Sequence, residues 1–134
     1  MYSIEFEYST HVGRKVPIIP VGIRGKDKWH ELWVFVDTGA TYSVFEAKEA
    51  ERLQVDVYKG KKIMVIVGDG SFIPVYFHKI TIKIERGEVE FKTEIGFSER
   101  LGVGFNLLGK KGVFEIFKVC SDDRKKIVSF SREE

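Results

Sequence analysis

The chain has 134 residues, of which 43% are hydrophobic and 13% aromatic, and this composition excludes a disordered chain. Its 22 basic residues nearly balance its 20 acidic residues, so the net charge of +2 gives no indication of nucleic acid as a partner. A single cysteine, Cys120, excludes an internal disulfide and, within an apolar strand pattern, predicts a small core residue.

The N-terminal sequence Met-Tyr-Ser-Ile-Glu has neither the basic start nor the apolar stretch of a signal peptide. No apolar run approaches the roughly 20 residues that a membrane-spanning helix needs. We therefore expect a cytoplasmic protein without membrane contact. Since no linker, repeat or low-complexity segment is visible, we also expect a single domain over residues 1–134.

Hydrophobic and polar residues alternate through most of the chain, which predicts an all-β fold. The first predicted strand carries the alternation from Ile4 to Tyr8. The second spans residues 16–23, where Pro17 and Pro20 lack backbone donors and therefore indicate a sheet edge or a bulge.

A predicted turn at residues 25–28 leads into a third strand, residues 29–36. The last four residues of this strand are apolar on both faces, which predicts a central strand that is covered on both sides. The strand runs directly into Asp37. Because burying a lone carboxylate is costly, an aspartate at the end of such a strand indicates a functional loop.

One helix is predicted after this loop. Ser43 precedes Glu46 by three residues, the spacing of a capping box, and the helix is expected to end near Gln54. The charged residues that follow Glu46 are spaced to leave one apolar face. That face is formed by Ala47, Ala50 and Leu53.

Hairpins are predicted for most of the remaining chain. Residues 63–67 and 72–77 flank a glycine-rich tip, Gly68-Asp69-Gly70-Ser71, where positive φ angles are easily adopted. A second hairpin is predicted to turn near Arg86-Gly87 and to pair Ile80, Ile82 and Ile84 with Val89, Phe91 and Ile95. The last one pairs residues 118–121 with 127–130.

The segment Asp37-Thr38-Gly39-Ala40 resembles the active-site loop of the aspartic peptidases, in particular the single-domain retropepsins. The preceding apolar strand, the following helix and the glycine-tipped hairpin, or flap, occur in the order found in that family. Downstream, Leu107-Leu108-Gly109 resembles the motif that packs against the catalytic loop. This resemblance implies an acid-protease fold, a closed barrel with one short helix and a flap hairpin.

The resemblance also implies roles for individual residues. Asp37 is the expected catalytic aspartate, Thr38 the residue whose hydroxyl reaches the partner subunit's loop, and Gly39 the residue that allows this close approach. The expected substrate-binding residues are Ala40, Val67, Gly68, Asp69 and Gly70. Structural support of the loop is expected from Leu107, Leu108 and Gly109.

Aspartic peptidase chemistry needs two carboxylates that share a proton, and this chain has a single Asp-Thr-Gly sequence. A two-fold axis would supply the second carboxylate from an identical chain. We therefore expect a homodimeric aspartic endopeptidase that hydrolyses peptide or protein substrates with an Asp-activated water. His11, His30 and His78 lack the spacing of a metal site, so no metal or other cofactor is expected.

Two departures from viral retropepsins affect the subunit interface. Lys110 stands where many of those enzymes have arginine, and the tail after Gly112 is longer, so the resemblance does not extend to a seam built from terminal strands. The alternative function is a catalytically silent retropepsin-like domain that binds peptides or dimerises. In an isolated Asp-Thr-Gly, the aspartate would most simply bond to the backbone of its own turn.

Overall fold

The computed structural model describes residues 2–84 and 89–132, which form twelve strands, one α-helix and one 3-10 turn. In chain order, the elements are β1 (Tyr2–Glu7), β2 (Ser9–His11), β3 (Arg14–Val16), β4 (Ile18–Arg24), β5 (Trp29–Val36), β6 (Ser43–Glu46), α1 (Ala47–Leu53), the 3-10 turn (Val57–Lys59), β7 (Lys61–Ile66), β8 (Phe72–Ile84), β9 (Val89–Ser98), β10 (Asn106–Leu108), β11 (Lys118–Asp122) and β12 (Ile127–Arg132). The predicted all-β class is confirmed.

Seven strands form the main sheet, in the order β4-β5-β10-β6-β9-β8-β7. A further antiparallel pairing between β4 and β8 closes six of them into a ring, while β7 extends β8 on the outside. The larger hydrophobic core is formed by this ring, in which Phe45, Phe97 and Ile19 are fully buried, together with buried residues of β1 and β12. A smaller apolar cluster lies where the β7–β8 hairpin packs against β6 and β10.

The edge position predicted from the prolines is wrong for β4. This strand pairs with β5 along its whole length and with β8 from Val21 to Ile23. Pro20 is tolerated because it lies just before the part of β4 that has neighbours on both sides. Pro17 lies in the break between β3 and β4, where the chain leaves one sheet for another.

The predicted limits of β5 are confirmed, but the strand is not covered on both faces as predicted. Val34 and Val36 are buried in the core, whereas Trp33 on the opposite face is 51% exposed. On that face Phe35 is half-buried because its ring stacks on Phe105 at 4.9 Å. No comparable neighbour covers Trp33 among the residues that the structure describes.

The helix begins three residues later than the capping-box spacing predicts. Ser43 to Glu46 form strand β6, which pairs in parallel with β9, and Glu46 makes no side-chain cap. Pairing on both sides of β6 favours extended backbone over an earlier helix start. The predicted C-terminal end is confirmed, since Gln54 follows Leu53 in the left-handed conformation.

The β8–β9 hairpin has a register that differs from the predicted one at Ile95. Ile82 pairs with Phe91 and Ile84 with Val89, but Ile95 lies opposite His78 because β8 is one continuous strand of 13 residues. The turn predicted near Arg86-Gly87 lies outside the described residues.

The two ends of the chain form a separate three-stranded sheet in the order β1-β12-β11. Its β11–β12 hairpin confirms the last predicted hairpin. Cys120 is exposed instead of buried, because Val119 takes the inward position in the alternation of β11. In the described part of the chain, no helix is long and apolar enough to cross a membrane.

Candidate active site

Asp37 lies at the end of β5, where the strand leaves the core. Strand β10 runs parallel to β5 and places Leu108 beside Val36, and the Asp37 N–H donates to the Leu108 carbonyl at 3.0 Å. The Val36 N–H donates to the Pro17 carbonyl at 2.8 Å on the other side. The backbone that carries the carboxylate is therefore held from two directions.

The Asp37 side chain is fixed by its own loop. Its Oδ1 atom accepts a hydrogen bond of 2.9 Å from the Gly39 N–H, and its carbonyl accepts one of 3.2 Å from Ala40. Among residues 2–84 and 89–132, no group bonds to Oδ2. The carboxyl is half-buried, and Thr38 and Gly39 beside it are exposed, so the loop presents an oriented carboxyl group to whatever binds there.

Gly109 makes the contact between the loop and β10 possible. A Cβ atom at this position would clash with the Tyr42 carbonyl and lie 2.9 Å from the Ala40 carbonyl oxygen. The Gly109 N–H donates to the buried Ser43 hydroxyl at 2.9 Å, and the Lys110 N–H donates to the Ala40 carbonyl at 2.9 Å. Leu108 is fully buried, so the predicted supporting segment packs directly behind the loop.

The β7–β8 hairpin corresponds to the predicted flap. Its tip is closed by a 2.8 Å hydrogen bond from the Gly70 N–H to the Val67 carbonyl, and Gly70 adopts a φ of 85°. Asp69 accepts from both the hydroxyl and the N–H of Ser71, and these bonds lower the pKa of the Asp69 carboxyl. Asp69 thus stabilises the turn at the tip.

A cleft of about 500 Å³ lies between this hairpin and the Asp37 loop. Its lining is mostly apolar and comes from the loop, from β6 and β10, from the flap and from the segment before β10. The lining residues are Gly39, Ala40, Thr41, Tyr42, Val44, Met64, Val65, Ile66, Val67, Gly68, Phe72, Ile73, Leu101, Val103 and Leu107. An apolar groove beside an oriented carboxyl is suited to a peptide.

The structure brings together most of the predicted site residues. Gly39, Ala40, Val67 and Gly68 line the cleft, and Asp37 and Thr38 belong to the same loop. Asp69 and Gly70 are exposed at the flap tip and do not line the cleft in this conformation. Leu107 lines the cleft as well as supporting the loop, which the sequence had not indicated.

The described residues contain no group of three or more histidine, cysteine, aspartate or glutamate side chains that could hold a metal ion.

Prediction from the sequence did not identify the roles of two buried polar residues near the Asp37 loop. Ser43 was interpreted as a helix cap, but its hydroxyl accepts from Gly109 instead. The Asn106 side chain is buried and donates to Glu49 and to the Trp33 carbonyl, and it accepts from the Glu46 N–H. The position of Asn106 directly before the Leu-Leu-Gly segment was the available signal for its role.

The chain is similar to two solved structures of proteases. One is a retropepsin-like aspartic protease from Rickettsia conorii, with 19% identity, a TM-score of 0.67 and coverage of 96% of this chain and 91% of that chain. The other is EIAV protease in complex with the inhibitor HBY-793, with 27% identity, a TM-score of 0.54 and coverage of 76% and 88%. The fold is thus that of the retropepsin-like aspartic proteases.

Residues 19–109 match the family model described as aspartyl protease. Because this match spans more than half of the chain and contains Asp37, the flap and Gly109, the chain belongs to the aspartyl protease family. A comparison with curated proteins finds no significant match.

Proposed function

We propose that this protein is an aspartic endopeptidase whose active site is completed by a second copy of the chain. The observation that carries the proposal is the Asp37 carboxyl, which the Gly39 N–H orients within the loop whose residues Gly39 and Ala40 line an apolar cleft. Membership of the aspartyl protease family supports it, as does the intact Asp-Thr-Gly sequence.

The reaction requires two carboxylates in different protonation states. Two such groups side by side hold one proton between them, because both cannot be ionised at short distance. The ionised carboxylate removes a proton from a water molecule, whose oxygen attacks the carbonyl carbon of the scissile bond. The protonated carboxyl donates to the carbonyl oxygen. As the C–N bond breaks, the leaving nitrogen takes the proton that the first carboxylate removed from water, and the second carboxylate recovers its proton from the oxygen.

The described residues favour a dimeric site over a monomeric one. Asp37 is the carboxylate at the end of a buried strand, and its loop is exposed at Thr38 and Gly39, where a second chain can approach. An isologous two-fold contact places the same loop of the partner opposite it. Thr38 is then available to donate its hydroxyl hydrogen to the partner's loop.

The substrate would bind in an extended conformation beneath the flap. The cleft presents Tyr42, Val65, Ile73 and Leu107, so apolar side chains of a peptide would be preferred next to the scissile bond. Opening and closing of the flap would admit the peptide and then exclude water.

The test is cleavage of a diverse peptide library from acidic to neutral pH, comparing the wild-type protein with Asp37→Asn. We expect cuts only with the wild-type protein, flanked by large apolar residues. The substitution nearly preserves the size and shape of the side chain, and the amide oxygen of the new side chain can still accept from the Gly39 N–H, so the loop should remain folded. Circular dichroism of both proteins shows whether the variant is folded like the wild-type protein.

The same experiment distinguishes the alternative function. If neither protein cuts any peptide but both retain labelled apolar peptides with equal affinity, the chain is a peptide-binding domain without catalytic activity. Cleavage that persists in Asp37→Asn would also contradict the proposal, because it would assign the activity to another group or to a contaminant.

A further inference from the structure

The short β2–β3 hairpin is an unusual projection from the fold. Its strands pair only with each other among the described residues, and such isolated two-stranded hairpins are marginally stable in water. Its two-residue tip, Val12-Gly13, has φ angles of 50° and 75°. Val12 is 86% exposed, and no atom lies within 4 Å of the Cβ position at Gly13, so the tip extends into open space.

Valine is a poor residue for this tip. A turn with positive φ at both positions favours asparagine or aspartate first and glycine second, whereas β-branched side chains are strained there. Val12 is thus unfavourable in conformation and also exposes its apolar side chain to water. Packing of the side chain against another molecule would remove the cost of exposure and offset the cost of the backbone conformation.

The hairpin lies beside the catalytic loop. The residue after it, Pro17, accepts the hydrogen bond from Val36, immediately before Asp37. The His11 ring packs edge-on against Phe105 at 5.5 Å, and Phe105 stacks on Phe35. These contacts hold the base of the hairpin and His11 on the side of the fold where β5 leads into Asp37.

The N-terminal strand β1 is poorly suited to an equivalent contact. β12 lies between β1 and β11, so both of its hydrogen-bonding edges are used within the chain. Among the described residues no strand pairs with the outer edges of β1 and β11, and on β1 Glu5 and Glu7 project from the exposed face. Pairing of β1 with its own copy would bring these acidic side chains together, which is unfavourable.

We propose that the β2–β3 hairpin is the main arm of the dimer interface, with Val12 inserted into a second copy of the chain next to the shared active site. This inference rests on the proposed function, since the active site is incomplete without the second Asp37. It places the subunit contact at Ser9–Val16 instead of at the terminal strands.

Sedimentation equilibrium of the full chain over a wide concentration range tests the inference, using Val12→Asn and Val12→Asp. We expect the dimer dissociation constant to rise about tenfold for Val12→Asn and about a hundredfold for Val12→Asp, as for loss of a central interface side chain. At concentrations where the chains are monomeric, Val12→Asn should unfold at the same or a higher temperature, because asparagine suits the turn.

Gln54 provides matched control variants. It is exposed and has a φ of 58°, but it follows α1 and lies next to the β4–β5 turn. That turn is at the far end of the eight-residue strand β5, about 25 Å from Asp37. Gln54→Asn and Gln54→Asp should leave the dimer dissociation constant unchanged.

The outcomes separate the inference from the proposed function. If the wild-type protein dimerises and Val12→Asp does so with the same constant, the hairpin is not the interface, although the dimeric enzyme stands. An unchanged constant with a raised KM would assign the hairpin to substrate contact and also overturn the inference. If the wild-type protein stays monomeric at every concentration, both the dimeric active site and the hairpin interface are wrong.

Discussion

Gly109 determines how closely β10 approaches the loop that carries Asp37. The space that a side chain would need is occupied by the carbonyl groups of Tyr42 and Ala40, which belong to the backbone and cannot rotate away. The same closeness allows the Gly109 N–H to reach the Ser43 hydroxyl. One missing side chain therefore fixes the position of the Asp37 loop relative to the core.

Gly109→Ala should lower both stability and activity. Backbone displacement and loss of the buried hydrogen bond should reduce the free energy of unfolding by about 2–4 kcal/mol. Because the displaced backbone bonds to Ala40 through Lys110, peptide cleavage should fall further than unfolding alone explains. Chemical denaturation and kcat measured below the unfolding range check the two effects.

Gly68→Ala is the control for this prediction. Gly68 has no atom within 4 Å of its Cβ position, so its free energy of unfolding should change by less than about 0.5 kcal/mol. If the two alanine variants unfold alike, the close packing at Gly109 does not support the loop.

The sequence identified the residues whose role depends on local order but not those whose role depends on distant contacts. Asp37 and Gly109 were found because each belongs to a short recognisable segment. The bond of Ser43 joins residues 66 positions apart, and no local spacing signals it. The Ser43–Glu46 spacing favoured a helix cap, and tertiary pairing of β6 overrode that local preference.

At the scale of elements, the alternation of hydrophobic and polar residues predicted where strands occur but not how buried they are or which strands lie beside them. The limits of β5 followed from its composition, because both of its ends adjoin turn residues. The exposure of Trp33 and the inner position of β4 depend on which strands lie alongside, and a single strand does not carry that information. The ring of strands therefore depends on which strands pair, and this is not encoded in the local sequence of any single strand.

The buried residue Tyr8, which follows β1, is hydrogen-bonded to the turn between β11 and β12. The Tyr8 hydroxyl donates to Asp123 in the β11–β12 turn at 2.7 Å, and the Tyr8 N–H donates to the Lys126 carbonyl. Burial, followed by the hydrogen bond to Asp123, raises the pKa of Tyr8 to about 12 from 10.0. The phenol is therefore kept neutral by the fold.

This pKa predicts a loss of stability at high pH. Because the pKa is raised in the folded state, the contribution of Tyr8 is complete below about pH 10 and is lost as the pH rises towards about 12. Tyr8→Phe should reduce the free energy of unfolding by about 1 kcal/mol at pH 7. The difference between the two proteins should narrow between pH 10 and 11, and chemical denaturation at each pH measures it.

Tyr8→Phe also tests whether Tyr8 is the group whose ionisation lowers stability at high pH. The other ionisable groups are common to both proteins, so their contributions cancel in the difference. A difference that stays constant from pH 7 to 11 would show that Tyr8 is not the group responsible.

At the scale of the whole molecule, the proposed function requires two copies of the chain, each supplying one of the two carboxylates. The ring of strands, the flap and the cleft are all contained within a single copy. The second carboxylate is what the single Asp-Thr-Gly sequence lacks. The proposal therefore predicts that the chain is active only as a pair and that the pair has one shared site instead of two.

Mixing wild-type chains with Asp37→Asn chains tests this sharing directly. When half of the chains are replaced at fixed total concentration and subunits exchange freely, only about one quarter of the dimers carry two aspartates, by random two-fold assembly. Activity should therefore fall to about one quarter of the wild-type value, whereas independent chains would retain about one half. Mixing with Gln54→Asn instead, which leaves both aspartates in every dimer, should keep the full activity. A linear decline with the wild-type fraction would show that each chain cleaves peptides alone.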